Sequence, residues 1–208
     1  MNTTLDVAIL VFDEVEALDL AGPYEVFTTA VRMQQRAQPG TPPLFRVRCV
    51  ARSMEPVRAR AGLRVLPDAD FATCAAPHVL IVPGGVVDGA RACPDTVAWL
   101  VRAAAAARLT ASVCTGAFLL ADAGVFADGP VTTHWEDIAD LRAQFPTLDV
   151  REGVRWVEQP GGRVVSSGGI SAGIDMSLHL VALLAGMPLA ERTARQMDYA
   201  WTRNPQSA

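Results

Sequence analysis

Three short apolar runs, each leading through a turn toward a helix-like segment, constrain the fold of this chain most strongly. They occupy residues 5–12, 78–82 and 109–113. Each run has the length of a strand and lacks the polar alternation of a strand with one face in water. Each is therefore typical of a strand buried on both faces. Such strands, alternating with helices, predict a doubly wound α/β sheet whose strands are mostly parallel.

The remaining segments continue this alternation along the whole chain. Helices are predicted over residues 19–36, 94–108, 117–124, 135–145, 171–185 and 189–201, and further strands over 44–51, 57–66, 130–134, 148–151, 154–158 and 163–167. No internal repeat, low-complexity tract or linker separates these segments, so residues 1–208 are predicted to form a single domain.

The charged residues exclude several functions. Every basic residue is arginine, and the absence of lysine excludes Schiff-base chemistry and a lysine general base. The formal net charge is −4, whereas a nucleic-acid partner calls for a concentrated basic face. We therefore expect no nucleic-acid partner.

The distribution of apolar residues bears on location. No apolar run approaches the roughly 20 residues that a membrane span requires. The first six residues lack the basic and then apolar pattern of a secretory signal. We therefore expect a cytoplasmic protein with no membrane partner.

Four cysteines, Cys49, Cys74, Cys93 and Cys114, lie far apart and form no CxxC pair. In a chain with no visible secretory signal they are expected to be free thiols, the first three with structural roles. The three histidines form neither an HExxH pattern nor a cluster with cysteine. No metal site is predicted.

Cys114 differs from the other cysteines because it ends an apolar strand and is followed at once by a helix, through Cys114-Thr115-Gly116. At such a turn the first helical N–H groups and the positive end of the helix dipole favour a thiolate, which is the nucleophilic form of cysteine. The alternative is a buried cysteine that acts as a small hydrophobic residue. Position alone leaves both interpretations open.

Other polar or glycine-rich segments also follow predicted strands, and ligands of open α/β sheets bind beyond the carboxyl ends of strands. These segments are Asp19-Leu20-Ala21-Gly22-Pro23, Pro83-Gly84-Gly85, Thr132-Thr133-His134-Trp135 and Gly168-Gly169. Glycine lets the backbone approach a ligand closely. A free N–H of Gly85, with that of Thr115, would then stabilise a developing negative charge.

Asp19 lies between two leucines, where its carboxylate is either a helix cap or a buried group that faces Cys114. In the second case burial and a nearby thiolate would raise its pKa and make it a proton donor. Glu25, about two turns further along the helix, is the rival for that role. His134 and Trp135 stand at a strand end and are candidates for a ligand-binding wall.

Together these segments resemble the DJ-1/PfpI (ThiJ) superfamily, whose members have a flavodoxin-like, glutamine amidotransferase-like fold with a cysteine at a nucleophile elbow. The resemblance also includes Gly168-Gly169-Ile170-Ser171-Ala172-Gly173-Ile174-Asp175, so it spans nearly the whole chain in order. Within the superfamily the chain is most similar to the isocyanide hydratase branch. PfpI-type peptidases have a histidine directly after the cysteine, whereas this chain has Thr115.

The resemblance implies roles for particular residues. Cys114 would be the nucleophile and Asp19 the general acid and base, with the amides of Gly85 and Thr115 around an anion. Pocket residues would be Gly84, His134, Trp135, Gly169 and Ile170. The implied reaction converts a small-molecule substrate, an isocyanide, to an N-formamide through a thioimidate on the cysteine. It needs no metal or cofactor, and the resemblance also implies a homodimer.

Two other functions fit the same segments. The ligand-sensing domains of AraC-type regulators are similar to this chain, which is expected to lack their helix-turn-helix because little sequence follows Trp201. A DJ-1-like glyoxalase or a redox-responsive thiol protein is the other alternative. Isocyanide hydration is the preferred hypothesis.

Overall fold

A computed structural model describes residues 4–126 and 129–203 of the chain. Its strands are β1 (Leu5–Leu10), β2 (Phe45–Ala51), β3 (Val57–Arg58), β4 (Arg64–Val65), β5 (Ala69–Asp70), β6 (Val79–Val82), β7 (Leu109–Val113), β8 (Pro130–Val131), β9 (Asp149–Val150), β10 (Trp156–Glu158) and β11 (Val164–Ser167). The helices are α1 (Ala17–Ala37), α2 (Asp88–Arg91), α3 (Pro94–Ala106), α4 (Gly116–Asp122), α5 (Ile138–Gln144), α6 (Ser171–Ala185) and α7 (Met187–Gln196).

A seven-stranded sheet in the order β10-β11-β7-β6-β1-β2-β5 forms the centre of the molecule. All neighbouring strands in it are parallel except β10 and β11, which pair antiparallel at one edge. Val7 of β1 aligns with Val47 on one side and Val79 on the other. The predicted doubly wound, mostly parallel α/β sheet is confirmed.

The core lies on both faces of this sheet. Every residue of β6 and of β7 is buried, as expected for apolar runs between two layers of helices. Helices α1, α6 and α7 pack against one another, and α2, α3 and α4 form a second group. No helix within residues 4–126 and 129–203 is long and apolar enough to cross a membrane.

Several predicted elements differ from the structure, among them the strand predicted over 130–134, which is limited to β8. Residues 57–66 form the antiparallel pair β3 and β4 around a 3₁₀ turn (Arg60–Gly62), because Ala61 and Gly62 have φ of +64° and +96° and reverse the chain. A 3₁₀ turn (Trp135–Asp137) precedes α5. The last helix ends at Gln196, before Asp198 adopts a left-handed conformation with φ of +50°.

The strand order brings distant loops to one edge of the sheet. Strands β11, β7, β6 and β1 are neighbours and run parallel, so the loops after them leave the same edge. Those loops lead to Ile170, Cys114, Gly84 and Asp19, respectively. Four of the segments singled out in the sequence thereby become neighbours in space.

Candidate active site

Cys114 lies on a tight turn between β7 and α4. Its φ is +56°, a left-handed conformation that costs free energy for any residue with a side chain, and its side chain is buried. Its N–H donates to the carbonyl of Ser167 at 3.1 Å, and its carbonyl accepts from the Thr133 hydroxyl at 2.8 Å. Hydrogen bonds from two other segments therefore hold the strained turn in place.

Two glycines let this turn pack directly against the loop after β6. A Cβ atom on Gly84 would lie 2.6 Å from the amide nitrogen of Thr115 and 2.9 Å from Cβ of Cys114. A Cβ atom on Gly116 would lie 2.1 Å from the carbonyl oxygen of Val82. Only glycine fits at these two positions, because the opposing atoms include backbone.

Asp19 is fully buried in the first turn of α1 and faces the cysteine. Its Oδ1 accepts from the N–H of Ile170 at 2.9 Å, and its Oδ2 accepts from the N–H of Gly84 at 3.2 Å. Besides burial, its negative charge raises the pKa of the nearby Cys114 thiol. The residue that precedes the helix is Glu16, so Asp19 is not a helix cap.

The rival carboxylate lies elsewhere. Glu25 accepts hydrogen bonds from Thr29 and from Arg32, both at 2.8 Å, on the exposed side of α1. Among the described residues, Asp19 is therefore the one of these two carboxylates that contacts the cysteine.

The protonation of the pair differs from the expectation for a helix N-terminus. Burial raises the pKa of Asp19 to about 6, and hydrogen bonds from Ile170, Cys114 and Gly84 oppose a larger rise. Burial and then the charge of Asp19 raise the pKa of the Cys114 thiol, although the N–H of Thr115 lowers it. The thiolate that the helix N-terminus favours is thus not the form favoured in the folded protein, because desolvation and a neighbouring carboxylate outweigh the dipole of the short helix α4. Above about pH 6 the pair holds one proton between sulfur and carboxylate.

Gly85 does not present a free amide. Its N–H donates to the Thr115 hydroxyl at 2.9 Å, and that hydroxyl donates back to the Gly85 carbonyl at 2.8 Å. With φ of +135° Gly85 packs against the backbone at Glu14, whose carbonyl oxygen would lie 2.2 Å from a Cβ atom. The expected pair of donors is thus reduced to the N–H of Thr115, which faces the sulfur, while Gly85 holds Thr115 in position.

The predicted pocket residues line a cavity of about 340 Å³ next to the elbow, with the exception of Gly84. His134, Trp135, Gly169 and Ile170 all contribute to its walls. The imidazole of His134 packs closely on Gly169, where a Cβ atom would lie 2.2 Å from Nδ1. The Trp135 side chain is 73% exposed.

Most of the other histidines and cysteines have local structural partners. His78 accepts from the backbone N–H of Asp6 at 3.0 Å. His179 lies 3.0 Å from Glu158. Burial raises the pKa of Cys49 to about 11 and also raises that of Cys74, whereas hydrogen bonding by Thr96 lowers the pKa of Cys93. No group of three potential ligands in the described ranges is arranged to hold a metal ion.

Two further groups near the elbow are not among the predicted site residues. The Thr133 hydroxyl binds the Cys114 carbonyl, and a threonine at a strand end carries no signal of such a contact. The second is an ion pair between Arg155 and the fully buried Asp175, with Arg155 also donating to the Ser171 hydroxyl at 3.2 Å. In the sequence, the one indication of this ion pair is an aspartate within the apolar run of α6.

Comparison with known proteins agrees with this architecture. A sequence model of the DJ-1/PfpI family matches residues 6–183 of this chain. The chain belongs to the DJ-1/PfpI family. An isonitrile hydratase from Pseudomonas putida is 32% identical over 201 residues, which cover 94% of this chain and 79% of that protein. The HTH-type transcriptional regulator GbdR from Pseudomonas aeruginosa is 28% identical over 200 residues, 96% of this chain and 52% of the regulator.

Solved structures share the same family fold. A ThiJ/PfpI family protein from Pseudomonas syringae superposes with a TM-score of 0.82 at 28% identity, covering 97% of this chain and 77% of that one. DJ-1beta from Drosophila melanogaster superposes with a TM-score of 0.79 at 17% identity, covering 96% and 100%, respectively. The second likeness concerns the fold alone. The relatives of this chain thus include both a named enzyme and a named regulator.

Proposed function

We propose that this DJ-1/PfpI protein is a cysteine-dependent enzyme that hydrates isocyanides to N-formamides, with Cys114 as nucleophile and Asp19 as general base and acid. The observation that carries the proposal is the fully buried carboxylate of Asp19, which the amides of Gly84 and Ile170 hold beside the Cys114 turn and which interacts with the thiol. The likeness to an isonitrile hydratase supplies the reaction class. The pair alone supplies the nucleophile and the proton transfers, so the proposed reaction calls for no metal or organic cofactor.

The first step forms a carbon–sulfur bond. Asp19 accepts the thiol proton as the sulfur attacks the terminal carbon of the isocyanide, and then donates that proton to the same carbon. The product is a thioimidate in which the carbon is bonded to sulfur, hydrogen and nitrogen. The N–H of Thr115 faces the sulfur and stabilises its developing negative charge. Asp19 returns to its ionised form.

The second step consumes one water molecule. Asp19 accepts a proton from water as the oxygen adds to the thioimidate carbon, and this proton is donated to the nitrogen. The hydroxyl proton of the resulting tetrahedral adduct returns to the sulfur as the carbon–sulfur bond breaks. The N-formamide leaves, and both Cys114 and Asp19 are in their initial states. The overall change is addition of water to the isocyanide.

Two variants of the reacting pair test this proposal. Cys114→Ala and Asp19→Asn should each reduce formamide formation from methyl isocyanide by at least about a thousandfold, since each removes a group that acts in both steps. Glu25→Gln, which changes an exposed carboxylate on the same helix, is the matched control. Wild-type activity in Cys114→Ala would refute the proposal.

A non-catalytic ligand-sensing role is the second candidate, because the GbdR match spans 96% of this chain. The same isocyanide assay separates the two functions. A wild-type protein that binds isocyanides without forming formamide would favour sensing. Conversion of methylglyoxal to lactate with isocyanides unchanged would favour a DJ-1-like glyoxalase.

We also expect a homodimer on family grounds, which light scattering would test.

A further inference from the structure

The turn between β11 and α6 carries one of the two amides that hold the reacting carboxylate. The N–H of Ile170 donates to Oδ1 of Asp19 at 2.9 Å, from a residue with φ of +56° and ψ of −103°. Such a backbone conformation is an outlier for a β-branched residue and persists only where the surrounding structure enforces it. Contacts outside the reacting pair must therefore hold this turn.

Arg155 contacts the turn at both of its ends. At the first end its carbonyl accepts from the N–H of Gly168 at 2.9 Å, and at the second its Nη2 donates to the Ser171 hydroxyl at 3.2 Å. Ile170 lies between these two contacts. The position of the Ile170 amide therefore depends on Arg155 as well as on Asp19.

The side chain of Arg155 is held in turn by a carboxylate in the interior. Asp175, in the first half of α6, is fully buried, and its Oδ2 pairs with Nε and Nη2 of Arg155. An unpaired buried charge is costly. Asp175 therefore strongly favours the arrangement in which the guanidinium group stays against the start of α6.

The other oxygen of Asp175 binds the C-terminal segment. Oδ1 accepts from the N–H of Thr202 at 2.8 Å, and the Asp175 carbonyl accepts from Nε1 of Trp201 at 3.1 Å. The Tyr199 hydroxyl donates to the Ser171 carbonyl at 3.2 Å. Both carboxylate oxygens are thus occupied, and the start of α6 is held from two sides.

We infer that Arg155 and Asp175 are positioning residues, which keep the Ile170 amide against Asp19. The contacts lead from Asp175 to Arg155, from Arg155 to the two ends of the turn, and from the turn to the reacting carboxylate. The inference rests on the proposed function for the role of Asp19 as base. It adds two residues that act on this base through the turn.

The charge state of Asp19 reports the position of the turn. Burial raises the pKa of Asp19, and the amide of Ile170 makes the largest of the contributions that lower it. The amide of Gly84 also lowers this pKa, and the titratable groups that act on the carboxylate are Cys114 and Glu16. Displacement of the turn alone should therefore raise the pKa of Asp19.

The test follows the amide signal of Ile170 in heteronuclear NMR spectra of the labelled protein as the pH changes. Because this amide binds a titrating carboxylate, its signal should shift with a midpoint at about pH 6 in the wild type. Asp175→Asn keeps an oxygen for the N–H of Thr202 but removes the charge that holds Arg155. It should raise the midpoint by about one pH unit. The acid limb of kcat/KM for methyl isocyanide should shift by the same amount.

Two further changes keep the test decisive if Asp175→Asn folds poorly. Ser171→Ala, at an exposed position, removes only the hydroxyl that Arg155 contacts and should raise the midpoint by a smaller amount. Arg155→Lys retains a positive charge opposite Asp175 and should lie closer to the wild type than Arg155→Met. Asp122→Asn, which breaks the partly buried ion pair with Arg91 between α4 and α2, is the control and should leave the midpoint unchanged.

Two results would overturn the inference. The first is an unchanged midpoint in Ser171→Ala and in every folded variant of Arg155 and Asp175. The second is a higher KM for methyl isocyanide in Arg155→Met at an unchanged midpoint. That result would assign this arginine to substrate binding, since it also lines the cavity next to the elbow.

Failure of the proposed function gives a different pattern. A wild-type protein that forms no formamide, together with a raised Ile170 midpoint in Asp175→Asn, would refute the hydration proposal and support the positioning role. Formamide formation by the wild type and the variants, with one common midpoint, would support hydration and refute the positioning role.

Discussion

The amide nitrogen of Ile170 lies 2.9 Å from Oδ1 of Asp19, although 151 positions separate the two residues in the chain. A second amide, that of Gly84, binds Oδ2 of the same carboxyl group at 3.2 Å. Both donors favour the ionised form, yet burial dominates and raises the pKa of Asp19 to about 6. This balance keeps the carboxylate available as a base at neutral pH.

The first prediction concerns the pH dependence of the proposed reaction. Below about pH 6 Asp19 is protonated and cannot accept the thiol proton, so kcat/KM should fall about tenfold per pH unit toward acid. Initial rates of formamide formation between pH 4.5 and 9 would measure this limb. A flat profile from pH 5 to 7 would contradict the role of Asp19 as the base.

The second prediction uses stability rather than activity. Because the folded pKa of Asp19, about 6, exceeds its ordinary value of 3.8, the folded state binds more protons than the unfolded state between these values. Asp19 therefore contributes least to the free energy of unfolding above pH 6. About 3 kcal/mol of this free energy is lost as the pH rises from 3.8 to about 6.

Urea unfolding of the wild type and Asp19→Asn at pH 3.5 and 7 measures this linkage. The free energy of unfolding of the variant, relative to that of the wild type, should rise by about 3 kcal/mol from the lower to the higher pH. Any destabilisation by the asparagine side chain that is independent of pH cancels, because the same two proteins are compared at both pH values. Glu25→Gln is the control, and an equal trend in both variants would argue against the buried carboxyl group as its source.

The third prediction concerns the strained turn at Cys114. Its φ of +56° is sterically unfavourable for alanine, whereas glycine adopts it without steric cost. Cys114→Gly should therefore be more stable than Cys114→Ala by about 1 kcal/mol, although both lack the nucleophile. Thermal or urea unfolding of the two variants compares them directly. Greater stability of the alanine variant would mean that the turn carries no such strain.

The fourth prediction concerns the contact between Gly84 and Thr115. A Cβ atom on Gly84 would lie 2.6 Å from the Thr115 amide nitrogen, so Gly84→Ala should displace the elbow and cost about 1–3 kcal/mol of stability. It should also reduce turnover. Gly89→Ala is the matched control, because nothing lies within 4 Å of a Cβ atom there. Equal stability of the two variants would refute the close packing.

The order of strands and helices could be predicted from local pattern. Continuous apolar runs such as β6 and β7 identify strands buried on both faces, and Cys114 at the end of such a strand is visible without any knowledge of its neighbours. The short hairpin of β3 and β4 could not be predicted, because it depends on the left-handed conformation of Ala61. Nothing in an alanine side chain indicates such a conformation.

The chemical state of the site depends on tertiary structure. Asp19 and Cys114 were recognisable as candidates from residue type and position, but their shared proton results from burial and mutual contact. The bonded amide of Gly85 and the Trp135 cavity likewise depend on segments distant in sequence. Sequence by itself determined which groups reach the carboxyl edge of the sheet, because strand and helix patterns are local. Only the folded chain decided how those groups are protonated and paired, since desolvation and hydrogen bonding arise between elements that meet after folding.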